Sequence, residues 1–351
     1  MYPFHSYDII KLLDLKIRHR NESSVDVNCP FCGDTRGKMN IHLKKEVYRC
    51  NYCDKSGNLV TLYADFYGMS NKTAYGEICE RLHKPYTYKK QYSTYSREEK
   101  ERNEIAPLEV RHKTYGVFLS LLTLKEEHRK HLECRGLTKE QIEFCGFKST
   151  PEEESKEMID ELLRQNCTLK GVPGFYLNTS GNWAMNFKSS SAGILIPICS
   201  IDKRIEAFQI RLNQIWKNGT KYIWYSSAGK SNGTSSGSPV HFMGNPNDTT
   251  IYVTEGGLKA TVAHYLSGGK TFMAVAGANH YKNTIPIFKQ LKENGTKRIL
   301  LAYDMDRFTN IYVMNGYKKL LKLVACYPFF VQSLVWDKRY KGIDDILLQK
   351  R

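Results

Sequence analysis

The sequence predicts a multidomain chain that combines α+β architecture with a C-terminal α/β domain. Three observations support this prediction. Two Cys-x2-Cys pairs lie near the N-terminus, three strand-like runs follow between residues 193 and 225, and strand and helix patterns alternate regularly after residue 249. Such alternation is typical of a mostly parallel sheet covered by helices. With 351 residues, the chain is long enough for two or three domains.

Hydrophobic periodicity predicts the individual elements along the chain. One short helix has a capping box at its start, formed by Thr138 and Gln141 three residues later. The predicted helices are residues 6–20, 72–82, 114–133, 138–144, 257–266, 285–292 and 313–325. The predicted strands are residues 193–199, 206–212, 221–225, 250–253, 271–276, 298–303 and 331–336. Polar residues 84–104 predict a linker, and the Gly/Ser/Asn-rich residues 229–238 predict a mobile loop.

Composition and charge exclude several classes of protein. Aromatic residues make up 12% of the chain, which excludes a disordered protein. No apolar run reaches the roughly 20 residues of a membrane helix, and the N-terminus does not resemble a signal peptide. We therefore expect a soluble intracellular protein with no membrane partner. Its net charge of +16 divides into +5 over residues 1–90, +2 over 91–248 and +9 over 249–351. This excess suggests a polyanionic partner, although solvated basic faces are an equally common explanation.

Four of the ten cysteines form two close pairs, Cys29 with Cys32 and Cys50 with Cys53. Two Cys-x2-Cys pairs separated by the seventeen residues 33–49 have the spacing of a tetrahedral structural zinc site. Four thiolates leave no open coordination position, so the ion would be structural. The alternative is four unrelated buried cysteines. The other six cysteines are scattered singly and are predicted to be small buried residues.

The sequence around the paired cysteines resembles the zinc ribbon of bacterial and phage DnaG-type primases. The resemblance lies in Val27–Asp34, Val47–Asp54 and Gly57–Val60. Cys32 stands where cellular members usually have His, as in the four-cysteine version familiar from phage primases. The resemblance implies a domain that reads single-stranded template. The candidate residues for base stacking and phosphate contact are Tyr48, Arg49, Tyr52 and Lys55, although these residues could simply cover a small metal-held fold.

Carboxylates follow the predicted strands of the C-terminal region. Glu255 follows one strand, and Asp304 and Asp306 follow another. Alternation along an extended chain would point Asp304 and Asp306 at one ion. Asp344 and Asp345 come after the last strand. Such hard oxygen ligands suit Mg²⁺ or Mn²⁺, and two ions could support an in-line phosphoryl transfer.

Together these carboxylates resemble the Toprim domain that DnaG-type primases share with type IA and II topoisomerases and some nucleases. The resemblance implies Glu255, Asp304 and Asp306 as ligands of a catalytic metal ion. It favours Asp345 over Asp344, because Gly-Ile-Asp-Asp replaces a spaced Asp-x-Asp. Primases commonly have Asp where this chain has Lys259, which leaves the number of metal ions open. Lys259 is therefore a candidate nucleotide-binding residue.

The middle of the chain resembles the primase catalytic core more loosely. Residues 131–147 resemble its helix pair, and the strand-like runs between 194 and 223 resemble its strands. On that match, Arg135, Arg211 and Lys221 correspond to basic residues that line the template and nucleotide groove. Fixed cations suit phosphates, but the alternative is that these are ordinary surface charges.

The resemblance spans about residues 25–348 and implies a DNA primase. Such a nucleotidyltransferase copies single-stranded DNA into short RNA primers during DNA replication. Its domains would be a zinc ribbon at 1–83, a linker at 84–104, a core subdomain at 105–248 and a Toprim domain at 249–351. Its partners would be single-stranded DNA and ribonucleoside triphosphates, and a replicative helicase of the primosome is a further candidate.

We expect the chain in the cytoplasm of a bacterial or phage-infected cell. Because the chain stops soon after the last acidic motif, we also expect a phage or mobile-element origin. Two alternatives come from other functional classes. The first is a Toprim metal-dependent nuclease, and the second is a catalytically silent accessory protein that binds single-stranded DNA.

Overall fold

The computed structural model of the chain describes residues 2–53, 55–86, 104–216 and 219–350. The chain divides into two units, residues 1–100 and 101–351. Most of the linker predicted at 84–104 lies outside the described residues. Within the described ranges, no helix is both long enough and apolar enough to cross a membrane.

The first unit is built on a five-stranded antiparallel sheet whose strands lie side by side in chain order. The strands are β1 Ile17–Arg20, β2 Ser24–Cys29, β3 Asp34–His42, β4 Val47–Cys50 and β5 Ser56–Asn58. The helices are α1 Ser6–Leu12, α2 Leu59–Tyr67 and α3 Asn71–Arg81. Alternate residues of β2 are buried and share one core with apolar residues of the three helices.

The helix predicted at residues 6–20 is wrong in its second half. Helix α1 ends at Leu12, Asp14 has a left-handed backbone with φ of 47°, and β1 follows. Strand β1 pairs with β2, with Ile17 opposite Val27. This hairpin pairing supplies the backbone hydrogen bonds and outweighs the helical spacing of the apolar residues. The helix predicted at 72–82 is confirmed as α3, whereas α2 was not predicted.

The second unit begins with helices around a small antiparallel sheet. Its elements are α4 Leu108–Ser120, α5 Glu126–Glu133, α6 Lys139–Phe144, β6 Lys148–Ser149, α7 Lys156–Arg164, β7 Phe175–Leu177, β8 Trp183–Met185, β9 Gly193–Cys199, β10 Ile205–Leu212 and β11 Tyr222–Trp224. The sheet order is β11-β10-β9-β6, and β7 pairs with β8 in a separate hairpin. A cluster of aromatic rings that includes Phe118, Phe208 and Tyr225 fills the core.

The predicted strands β9, β10 and β11 are confirmed. The capping box is confirmed too, because Thr138 and Gln141 exchange hydrogen bonds at the start of α6. The single helix predicted at 114–133 is instead two helices, α4 and α5, separated by residues 121–125. The burial prediction fails for Cys134 and Cys326, which are both exposed.

The C-terminal part of the second unit is the predicted α/β domain. Its elements are β12 His241–Met243, β13 Thr250–Glu255, α8 Gly257–Leu266, β14 Phe272–Val275, α9 Ile285–Glu293, β15 Arg298–Leu301, α10 Ile311–Val324, β16 Phe330–Ser333 and α11 Ile343–Gln349. The sheet order is β12-β14-β13-β15-β16. All neighbouring pairs are parallel except β12 with β14. Because β13 and β15 are adjacent and parallel, residues at their carboxyl ends meet at one edge of the sheet.

Candidate functional site

The four paired cysteines of the first unit come together in a single cluster. Their sulfur atoms all lie within 4.8 Å of one another. The Sγ–Sγ distances are 3.8 Å for Cys29–Cys53 and 3.8 Å for Cys32–Cys50. Four thiolates about 2.3 Å from a tetrahedral zinc ion would lie about 3.8 Å apart. The arrangement therefore fits a structural Zn²⁺ ion.

Proton sharing within the cluster shows why it needs a cation. A hydrogen bond with Cys50, reinforced by burial, raises the pKa of Cys29. The hydrogen bond that Cys50 receives from Cys29 lowers the pKa of Cys50 to about 5, and burial raises the pKa of Cys53 to about 12. Burial and the close approach of the sulfurs therefore oppose the ionisation of all four thiols. A bound divalent ion offsets the repulsion between neighbouring thiolates, so metal binding and folding of this unit should be coupled.

The predicted nucleic-acid contacts of this unit lie around the cysteine cluster. Arg49 is exposed on β4, whereas Tyr48, which precedes it, is buried and is not placed to stack on a base. The guanidinium carbon of Arg36 lies 5.0 Å from the centre of the Tyr52 ring. Lys55 donates to Asp65 Oδ2 at 2.8 Å and lies 5.0 Å from the ring of Phe31. Tyr52 and Lys55 thus already have partners within the unit, so any contact with nucleic acid would have to compete with these partners.

In the second unit, the predicted carboxylates lie at the carboxyl edge of the parallel sheet. Glu255 is the last residue of β13, Asp304 follows β15, and Asp306 lies in the 3-10 helix Met305–Phe308. The expected alternation of Asp304 and Asp306 along an extended chain is wrong, because the backbone turns there. Buried Arg307 fixes this turn by donating to the carbonyl oxygens of Tyr303 and Leu334 at 2.6 Å.

Two lysines lie among these carboxylates. Lys259, on α8, forms an ion pair with Asp304 Oδ1. Lys341 lies 2.8 Å from Asp306 Oδ2 and 4.0 Å from Asp304 Oδ2. Sequence reasoning missed Lys341, although its place directly before the Gly-Ile-Asp-Asp motif could have indicated it. Among the described residues, the cysteine set is the only group of three or more ligand side chains within 4.8 Å of one another, so the carboxylates do not form one.

Glu255, Asp304, Asp306 and Asp344 are here called the acidic cluster, and several of their oxygens are nevertheless available to a cation. Glu255 Oε1, Asp306 Oδ1 and Asp344 Oδ1 are buried and have no hydrogen-bond partner among the described residues. Burial, followed by the negative charge of Asp304, raises the pKa of Glu255 to about 7. Burial also raises the pKa of Asp344. In both groups, burial outweighs the nearby positive charges, which would lower the pKa.

The two adjacent aspartates of α11 have different surroundings. Asp344 is buried, and its Oδ2 lies 3.2 Å from Arg135 Nη1. Asp345 is exposed, and its Oδ2 accepts from the backbone nitrogen of Gly342 at 2.8 Å. The geometry therefore places Asp344 in the acidic cluster and Asp345 at the start of a helix. This arrangement does not support the sequence-based preference for Asp345.

The basic residues of the middle segment are divided between the site and the surface. Besides its ion pair with Asp344, Arg135 donates to His131 Nε2 at 3.2 Å. Burial, together with the positive charges of Arg211 and Arg135, lowers the pKa of His131 to about 4. Arg135 and Arg211 therefore lie close to one neutral histidine. Lys221 is exposed just before β11.

Comparison with known proteins relates both units to primases. Residues 4–94 match the family model described as a CHC2 zinc finger of the DnaG type. A DNA primase of Thermotoga maritima is 22% identical over 198 residues, or 54% of this chain and 34% of the relative. The chain thus spans about a third of the length of the curated relative that it matches.

Solved structures show the same similarity at the level of the fold. The zinc-binding and RNA polymerase domains of the Aquifex aeolicus primase match with a TM-score of 0.51 and 16% identity, covering 97% of this chain and 80% of that one. The RNA polymerase domain of Mycobacterium tuberculosis primase DnaG, in complex with a DNA oligomer, matches with a TM-score of 0.51 and 13% identity over 70% of this chain and 78% of that one. The chain therefore resembles the DnaG-type primases, in sequence through its zinc ribbon and in fold along nearly its whole length.

Proposed function

We propose that the chain is a DNA primase that makes short RNA primers on single-stranded DNA. The observation that carries this proposal is the position of four carboxylates, Glu255, Asp304, Asp306 and Asp344, at one edge of a parallel sheet. Arg135 pairs with Asp344 and, like Arg211, acts on His131, so these two arginines lie near the carboxylates. Acidic groups that hold a divalent ion, beside cations that hold phosphates, are what nucleotidyl transfer requires.

We further propose that residues 249–351 form a Toprim domain. Its carboxylates would hold Mg²⁺ or Mn²⁺, and their buried unpaired oxygens support this role. The ion would orient the triphosphate and neutralise the charge that develops during transfer. Arg211 and Lys221 would hold the phosphates of the template or the incoming nucleotide. The zinc ribbon would bind the template through Arg49, Tyr52 and Lys55.

A primer-synthesis assay tests this function. Purified protein is given random single-stranded DNA, labelled ribonucleoside triphosphates and Mg²⁺ or Mn²⁺. We expect short labelled oligoribonucleotides from the wild type and a loss of at least 100-fold in Asp304→Asn. Asp337→Asn is the matched control, because Asp337 pairs with Arg339 on the surface of the same domain. It should keep wild-type activity.

Two outcomes would contradict the proposal. Metal-dependent cleavage of a labelled strand without ribonucleoside triphosphates, together with no primer, would identify a nuclease. Template binding that is unchanged in Asp304→Asn, with no product from either protein, would identify a silent binding protein. Fluorescence anisotropy with a labelled oligonucleotide measures that binding directly.

A further inference from the structure

A lysine inside the acidic cluster is the feature that the proposed function does not require. The side chain of Lys259 is only 17% exposed and forms an ion pair with Asp304. Gly342 lets it approach α11, because a Cβ at position 342 would lie 3.0 Å from Lys259 Nζ and 2.3 Å from Asp344 Oδ1. The ammonium group therefore lies between Asp304, which follows β15, and Asp344, which lies on α11.

Lys259 differs from Lys341 in its freedom to leave the cluster. The Lys341 side chain is 64% exposed, so it can turn into solvent when another cation arrives. Lys259 lies on α8 between buried Leu258 and Ala260. The low exposure of its side chain and its ion pair with Asp304 therefore hold Lys259 in the cluster.

The charges of the cluster leave room for a single divalent ion. Lys259 pairs with Asp304, and Arg135 pairs with Asp344. Once Lys341 has turned away, the uncompensated carboxylates are Glu255 and Asp306. Each of these two has a buried oxygen without a hydrogen-bond partner among the described residues. One ion of charge +2 would neutralise both.

We propose that the ammonium group of Lys259 takes the place of one metal ion, so that the acidic cluster binds a single Mg²⁺ or Mn²⁺ beside Glu255 and Asp306. The proposal rests on the proposed metal-dependent function and defines the metal requirement of that site. It assigns Lys259 a positioning role, because its ammonium group holds Asp304 and reduces the repulsion between the carboxylates. Replacing Lys259 with a neutral or acidic side chain should leave more negative charge in the cluster, which should then bind metal cations more tightly or in greater number.

Manganese binding to the zinc-loaded full chain tests the proposal independently of activity. Electron paramagnetic resonance measures free Mn²⁺ and so gives the number of ions that the protein binds. The ions that are bound by the wild type but not by Asp306→Asn are assigned to the acidic cluster. We expect one such ion in the wild type and two in Lys259→Asp. In Lys259→Met, which keeps the length of the side chain, we expect Mn²⁺ to bind about tenfold more tightly. Lys341→Met is the control and should still bind one ion.

A second cluster ion in Lys259→Asp or tighter Mn²⁺ binding in Lys259→Met supports the proposal, so a misfolded Lys259→Asp does not prevent the test. Two cluster ions in the wild type would overturn it, as would unchanged number and affinity in both variants. The primer assay separates this result from the proposed function. If the wild type makes primers but binds two cluster ions, only the single-ion site would be refuted. If Lys259→Met binds Mn²⁺ more tightly but the wild type makes no primers, the proposed function alone would be refuted.

Discussion

Replacing Glu255 with glutamine should stabilise the second unit relative to the wild type, and this stabilisation should be larger at alkaline pH than at acidic pH. Glu255 has a buried oxygen without a partner among the described residues, and burial raises its pKa from 4.5 to about 7. Between these values, the folded protein keeps a proton that the unfolded chain has lost. The contribution of Glu255 to the free energy of unfolding is therefore full below pH 4.5 and is lost as pH rises to about 7.

The size of the effect follows from the shift in pKa. Each pH unit between the folded and unfolded values corresponds to about 1.4 kcal/mol, so the whole interval corresponds to about 3 kcal/mol. Glutamine keeps the shape of the side chain and carries no proton to lose. The free energy of unfolding of Glu255→Gln, minus that of the wild type, should therefore rise by about 2–3 kcal/mol from pH 5 to pH 8.

Tryptophan fluorescence during urea unfolding measures this difference in the correct unit. All four tryptophans lie in the second unit, at positions 183, 216, 224 and 336. The buffer should contain no added divalent ion and no chelator, so that the zinc ribbon keeps its metal. Glu293→Gln, at the exposed end of α9, is the matched control and should differ from the wild type by no more than about 0.5 kcal/mol at each pH.

A difference between Glu255→Gln and the wild type that stays constant with pH would refute this reasoning, as would a difference that falls as pH rises. Adding Mg²⁺ at pH 8 provides a second check. A cation in the cluster stabilises the glutamate but not the glutamine, so the advantage of the variant should shrink.

Three further predictions concern packing and the zinc ribbon. Gly174→Ala should lower the free energy of unfolding by at least about 3 kcal/mol, because Gly174 has a φ of +96° and a Cβ there would lie 2.0 Å from the Tyr225 ring. Gly181→Ala is the control, with φ of +77° and no atom within 4 Å, and should lower it by about 1 kcal/mol in the same urea experiment. Phe288→Ala should cost about 3–5 kcal/mol, because this ring is fully buried, and an unchanged urea midpoint would contradict its place in the core. Cys32→Ser should lose bound zinc and the folded first unit, whereas exposed Cys134→Ser should keep both, as measured by metal analysis and circular dichroism.

The features that could be read from the sequence are those set by local spacing. Two Cys-x2-Cys turns predict the zinc ligands, because each turn presents two thiols to one ion. Alternating strands and helices after residue 249 predict the parallel sheet, because each segment carries its own hydrophobic period. The capping box at Thr138 needs only neighbouring residues. In each case, the pattern that makes the prediction is contained within short segments of the sequence.

The tertiary structure decided what depends on contacts between distant segments. The choice of Asp344 over Asp345 for the acidic cluster depends on which face of α11 meets Arg135, 209 residues away. The sequence alone marked Lys259 as a departure from a motif. Its ion pair with Asp304 exists because adjacent parallel strands bring the start of α8 beside the end of β15. Such contacts depend on how the sheet is ordered, which local spacing does not specify.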